Sequence, residues 1–187
     1  MRGRWLWIAA VVVFTDVIAG IWWFRNWQQS RHDSAILSAA VRYQVEPALV
    51  KAVVWRESGF KAEVRGKAGE LGLMQIREPA AREWAVAEKI AGFQFEHLLD
   101  SGTNTLAGTW YLARLTRRYS HTDNPAAYAL ADYNAGRSHV LQWNKDGAAT
   151  NSSAFLAGMT FPGTKRYVLT VQQRREIYRA QKFGLEH

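Results

Sequence analysis

From Trp5 to Phe24 the chain runs 20 residues in which only Thr15, Asp16 and Gly20 are not apolar. At 1.5 Å per residue such a run makes a helix of about 30 Å, the thickness of a bilayer's hydrocarbon core. Trp5 and Trp7 mark one end and Trp22, Trp23 and Trp27 the other, as aromatic side chains do at the two interfaces of a membrane. Arg2, Arg4 and the terminal amine precede the run, whereas Arg25 follows it alone. The positive-inside bias therefore predicts a cytoplasmic segment 1–4, a transmembrane anchor 5–24 and a remainder on the outer side of the membrane. Asp16 costs roughly 2.5–3.5 kcal/mol at mid-membrane, which the surrounding Val, Ile, Leu and Phe residues can offset. It reads equally as a tolerated carboxyl and as a contact to another membrane protein.

The same run can be read as a cleaved signal peptide, with Leu6–Phe14 as its apolar region and Val17 and Ala19 as the small-residue site. The apolar stretch continues through Ile21–Phe24, beyond any such cut, and this favours the anchor. Either reading exports the rest of the chain.

Residues 25–33 are polar and read as a short linker; 34–182 read as one domain. Its pattern is helical nearly throughout. Ile36, Leu37, Ala40 and Val41 form one apolar face, and Pro47 suits the first turn of a helix carrying Leu49, Val50, Val53 and Val54, which Gly59 would end. Asn104 can cap a helix carrying Leu106, Trp110, Ala113 and Leu115. Asn124-Pro125 opens another that closes at Gly136, and the last runs from about Lys165 to Gln181 with Tyr167, Val168, Val171 and Tyr178 inward. No convincing apolar alternation occurs, so the fold class is mainly α. A domain of this size buries about two thirds of its chain surface, and needs none of the disulfides that a chain without cysteine cannot make. The missing cysteines also exclude a thiol nucleophile, a Cys-ligated zinc and an iron–sulfur cluster.

One carboxylate breaks the helical pattern. Leu49, Val53 and Glu57 are spaced four apart, so Glu57 continues the apolar stripe and falls in the last turn of its helix. Desolvation and the negative end of the helix dipole both disfavour its charged form. A carboxyl kept protonated near neutral pH is what a general acid requires, although a lone glutamate at a helix end can simply reach solvent or bind loop amides.

After Glu57 come Ser58-Gly59-Phe60, a loop with Gly66, Gly69 and Gly72, and Leu73-Met74-Gln75-Ile76. Further on stand Leu99-Asp100, then Asn104, Gly108, Tyr111 and Leu112, then Tyr133-Asn134-Ala135-Gly136, and finally Thr164-Lys165-Arg166-Tyr167-Val168. In this order and spacing, over roughly 34–180, the chain resembles the lytic transglycosylases of the soluble, goose-type-lysozyme-like class. The resemblance implies a lysozyme-like α fold around a sugar groove acting on peptidoglycan without metal or cofactor. It implies Glu57 as the catalytic acid and base, with Ser58, Gly72, Met74, Gln75, Tyr133 and Asn134 along the groove and Tyr167 beside the carboxyl. Met74 and Tyr133 also read as plain core residues. Glu70, Arg77-Glu78-Pro79, Asp132 and Lys165 depart from the family pattern, and two of these add carboxylates near the groove.

Glycoside hydrolysis normally takes two carboxyl groups, so a lysozyme-like hydrolase would need Asp132, Glu70 or Glu63 as the second. A non-catalytic wall-binding scaffold could use the same groove. The anchor reading, with peptidoglycan as the implied substrate, places the domain at the bacterial inner membrane, on the periplasmic side, with wall growth, secretion or conjugation complexes as partners to consider. The net charge of +8 fits acidic wall polymer; beyond residue 31 it falls to +5 with no basic stripe, so nucleic acid is not expected. The five histidines are scattered without metal-ligand spacing, and residues 145–163 are long enough to cover a groove.

Overall fold

The computed structural model describes the backbone of residues 2–184 and the side chains of residues 7 and 11–184. Its first element, α1 (Arg2–Ser30), is one continuous helix. The large apolar side chains of Trp7 and of Val11 to Trp27 are 46–76% exposed, so none of the described residues covers them. Among the described residues no helix is long and apolar enough to cross a membrane. The expected span 5–24 falls partly outside them, at the side chains of residues 5, 6 and 8–10, as do those of the expected cytoplasmic segment 1–4.

The expected linker, 25–33, is not an extended tether. α1 carries on through Ser30, and α2 (Asp33–Tyr43) begins after two turn residues. The polar side chains of this stretch are engaged with the domain: Gln28 Nε2 donates to the Gly59 carbonyl at 3.1 Å, and the Tyr178 hydroxyl donates to Gln29 Oε1 at 3.0 Å.

α3 (Pro47–Ser58) is the central helix. Residues Ala48 to Val54 are all between 0 and 6% exposed, Lys51 included, so the helix is wrapped on every side. Lys51 meets Asp33 at 2.7 Å and lies over the Phe183 ring. α3 packs on α2 and on α9 (Pro162–Ala180). α5 (Ser101–Arg118) packs on α2, on α4 (Glu78–Ala87) and on α6 (Pro125–Ala135), which in turn meets α9. The short helices α7 (Arg137–Trp143) and α8 (Ser152–Gly158) complete the order, with 3₁₀ turns at Phe95–Leu99 and Asp146–Ala149. Strand pairing among the described residues is confined to single bridges, Arg65 with Leu71 and Leu71 with Ile76.

Local signals place most helix ends where they are expected. Pro47 opens α3 and Gly59 closes it, while the Asn124 side chain accepts from the Ala127 amide to cap α6, which ends at Gly136. Three expectations are corrected. Asn104 is not a cap: Asp100 holds that place, accepting from the Thr103 amide at 2.8 Å, and Asn104 lies buried one turn inside α5. On α2 the buried face is Ile36, Ala39 and Ala40, while Val41 is 76% exposed. α9 starts at Pro162, three residues before the expected Lys165, because proline at a first turn lacks only an amide that would be unpaired there.

Candidate active site

α3 brings Glu57 to the edge of a cavity of about 440 Å³. The loop after α3 supplies Gly66, Lys67, Glu70, Gln75 and Ile76 to its wall, α5 supplies Tyr111, and α6 supplies Asp132, Tyr133, Asn134 and Ala135. Arg77, Ala80 and Gly136 complete the rim.

Glu57 is half-buried. Burial pushes its pKa above the ordinary glutamate value; the Tyr167 hydroxyl and the Arg56 charge oppose this, and the Glu70 carboxylate adds to it. Tyr167 is 2% exposed on α9 and donates to Glu57 Oε1 at 2.6 Å. Burial, reinforced by the Glu57 charge, raises the pKa of Tyr167 and Tyr133 well above that of a free phenol, so both remain protonated donors. One carboxyl oxygen is thus fixed by a phenol, in a position where the neutral acid is favoured. That arrangement can hand a proton to a group in the cavity and take one back.

The loop wall is set from below by one face of α5. Asn104, Gly108 and Tyr111 are spaced four and three apart, so they share a face. Asn104 Oδ1 accepts from the Met74 amide, and its Nδ2 donates to the Leu71 and Leu98 carbonyls, all at 2.8 Å. Gly108 admits Met74, since a Cβ there would lie 2.4 Å from the Met74 sulfur. Gly72, at φ 77°, crosses Asn104 so closely that a Cβ would lie 2.1 Å from Nδ2. Tyr111 reaches the cavity and its ring lies 5.6 Å from that of Tyr133. The loop then holds Gln75 at φ 49°, a left-handed conformation uncommon outside glycine, with Nε2 donating to the Val64 and Gly72 carbonyls.

Four of the eight expected site residues line the cavity: Glu57, Gln75, Tyr133 and Asn134. Tyr167 reaches it through Glu57. Tyr133 donates to the Met74 carbonyl at 2.7 Å, and Asn134 Oδ1 accepts from Thr164, while its amide N–H groups make no hydrogen bond among the described residues. The other three stand behind the wall. Ser58 is buried with its hydroxyl donating to the Val54 carbonyl, Met74 is wholly buried as a core side chain, and Gly72 fits against Asn104. Residues 145–163 do not line the cavity; Phe155 stacks on Tyr128, its ring centroid 4.0 Å away.

Of the three carboxylates weighed as a partner for Glu57, Glu63 does not line the cavity. Asp132 is 2% exposed and already occupied, accepting from Arg118 at 2.6 Å and from the Tyr119 hydroxyl at 2.7 Å. Glu70 remains on the wall, its Oε2 accepting from the Ala68 amide at 3.1 Å. Lys67, Arg77 and Tyr111 were not expected at the cavity; the four-and-three spacing on α5 is the signal that points to Tyr111.

The family model of the transglycosylase SLT domain matches residues 34–156. A membrane-bound lytic murein transglycosylase F of Desulfosudis oleivorans is 34% identical over 108 residues, covering 56% of this chain and 22% of that one. A membrane-bound lytic murein transglycosylase C of Klebsiella pneumoniae is 32% identical over 113 residues, covering 57% and 31%. Among solved structures, the 70-kDa soluble lytic transglycosylase of Escherichia coli superposes with a TM-score of 0.71 at 26% identity, over 80% of this chain and 24% of that one. The chain therefore spans less than a third of the length of each of these proteins.

Proposed function

This chain belongs to the transglycosylase SLT domain family, and from that premise we propose that it is a peptidoglycan lytic transglycosylase whose single acid and base is Glu57. The observation that carries the reading is the half-buried Glu57 carboxyl, raised in pKa and held by Tyr167 at the edge of the cavity. Glu57 protonates the oxygen between N-acetylmuramic acid and N-acetylglucosamine, and that C–O bond breaks. The muramic acid's 2-acetamido group stabilises the developing positive charge. Glu57, now a carboxylate, takes the proton of the same sugar's 6-hydroxyl, whose oxygen closes on the anomeric carbon as a 1,6-anhydro ring. The nucleophile is part of the substrate, so orientation replaces a second catalytic carboxylate. Gln75 and Asn134 hold acetamido groups, and Tyr111 and Tyr133 pack on sugar faces.

The same reading makes α1 a membrane anchor with the domain on the periplasmic side of a bacterial inner membrane. Its support is a continuous helix whose large apolar side chains at Trp7 and from Val11 to Trp27 are left uncovered by the described residues. The names of the membrane-bound relatives agree with it.

Mass spectrometry of peptidoglycan digested by the full chain in detergent tests the reaction, with Glu57→Gln alongside. Anhydro-muropeptides from the parent chain alone are expected. Reducing-end products would replace the reading with hydrolysis, for which Glu70 is the carboxylate left on the cavity wall.

A further inference from the structure

α1 does not end in a loose tether. At its last turns Gln28 grips the Gly59 carbonyl and Gln29 receives the Tyr178 hydroxyl, so the helix is fastened both to the end of α3 and to α9. Gly59 lies two residues beyond Glu57, and Gln28 follows Trp27 directly. The buried ring of His32, beside the Phe60 backbone, and the Lys51–Asp33 pair continue this seam into the domain.

Around the seam stand four cations, Arg25, Arg31, Lys61 and Arg174, that meet no carboxylate among the described residues. Arg25 lies one turn before Gln28 on α1, and Arg31 lies 5.3 Å from the Trp27 ring centroid. Lys61 follows Gly59-Phe60, and Arg174 lies over the Trp55 ring at 4.0 Å and near Tyr178. Arg25, Arg31 and Lys61 are exposed and Arg174 is half-buried. A basic collar at and just beyond a tryptophan belt suits the negatively charged surface of a bilayer.

We propose that this face docks on anionic phospholipid headgroups, so that α1 acts as a rigid strut holding the Glu57 cavity against the membrane surface. The proposal rests on the anchor reading of α1. It makes the natural substrate the glycan layer next to the membrane, since a pinned domain cannot swing out to distant strands.

The chain has no cysteine, so one introduced residue carries a unique fluorescent label. Full-length Lys61→Cys, Arg174→Cys and Val86→Cys, the last at a site 79% exposed on α4, are labelled and reconstituted in phosphatidylcholine vesicles with and without phosphatidylglycerol. Lipids carrying a headgroup quencher report proximity. Labels at 61 and 174 should be quenched at least about threefold more than the label at 86 when phosphatidylglycerol is present, each collar cation contributing about fivefold in surface affinity. The excess should vanish in pure phosphatidylcholine, and with Arg31→Glu added. Equal quenching at all three positions, an excess indifferent to lipid charge, or one that appears only on adding wall fragments overturns the proposal. An Ile18→Cys label read with acyl-chain quenchers separates the two levels. Quenched there but not at 61 and 174, the anchor stands and the docking fails; unquenched at 18, the anchor itself fails.

Discussion

Asn104→Ala should damage the protein from a position that never touches the cavity. The side chain is 1% exposed and makes three hydrogen bonds at 2.8 Å. Truncation strips the Met74 amide of its partner and takes a donor from the Leu98 carbonyl, whereas the Leu71 carbonyl keeps the Ile76 amide at 3.0 Å. A buried polar group left unsatisfied costs about 1–3 kcal/mol, and the second carbonyl still held limits the sum to about 3 kcal/mol. For a chain of this length that lowers the midpoint of thermal unfolding by about 6–12 °C. The assay is far-UV circular dichroism of the full chain in detergent, read with cleavage activity at a temperature where both proteins are folded. Activity should fall roughly tenfold, because the released loop carries both the Met74 carbonyl that fixes Tyr133 and the Gln75 wall. Asn104→Asp should not rescue stability. It keeps an acceptor for Met74 but turns an oxygen toward two carbonyls. A fall below about 2 °C, or an aspartate as good as the parent, would refute the satisfaction argument.

Glu57→Gln should lower cleavage at least about a hundredfold while leaving the protein folded. Because burial raises the folded pKa of Glu57, the folded state binds the extra proton: its contribution to stability is full below the unfolded glutamate pKa and is lost as pH rises through the folded value. Chemical denaturation across that window should therefore show Glu57→Gln losing less stability than the parent. Cleavage by the parent should decline over the same rise, since the acid must carry its proton. Tyr167→Phe removes a hydrogen bond that lowers the Glu57 pKa, so the alkaline limb of the pH–rate profile should move up while the rate drops about tenfold. An unmoved limb would mean that Tyr167 is packing only. Asp132→Ala breaks a pair whose other member, Arg118, can turn to solvent; about 2–3 kcal/mol of stability should go with no change in the type of product. A switch in product type would restore Asp132 as a catalytic carboxylate.

The residues that the sequence reveals are those whose job is local. Pro47 and Gly59 bound α3, and Asn124 caps α6, through contacts made within one helical turn. Glu57 is visible for the same reason, as a charge on an apolar stripe. Asn104 misleads because it is a good capping residue by type, yet its partners Leu71 and Met74 lie 33 and 30 residues away. Met74, Gly72 and Ser58 belong to motifs of the site without facing the cavity, and a motif does not say which of its members support the wall from behind. The helical continuation through Arg25–Ser30 escapes polar composition because its stabilising contacts, Gly59 and Tyr178, come from distant parts of the chain.

Asp132 and Glu57 show how burial assigns opposite work to two carboxylates near one cavity. Asp132 meets a guanidinium and a phenol within 2.7 Å, so its negative charge is compensated and committed. Glu57 meets a phenol and no ion-pair partner among the described residues, so withdrawal from water, opposed only by the Tyr167 hydrogen bond and the Arg56 charge, raises its pKa. Under the proposed reaction the first group cannot leave Arg118 and Tyr119 to activate water without losing the partners of a buried carboxylate, whereas the second must first be an acid and then a base. The Tyr167 hydrogen bond serves both states. It is weak enough against desolvation to leave the pKa above the ordinary glutamate value, and it strengthens once the proton has gone and the carboxylate must wait for the 6-hydroxyl. The pH–rate limb in Tyr167→Phe separates this from simple positioning, because a residue that only orients Glu57 would lower the rate and leave the limb where it was.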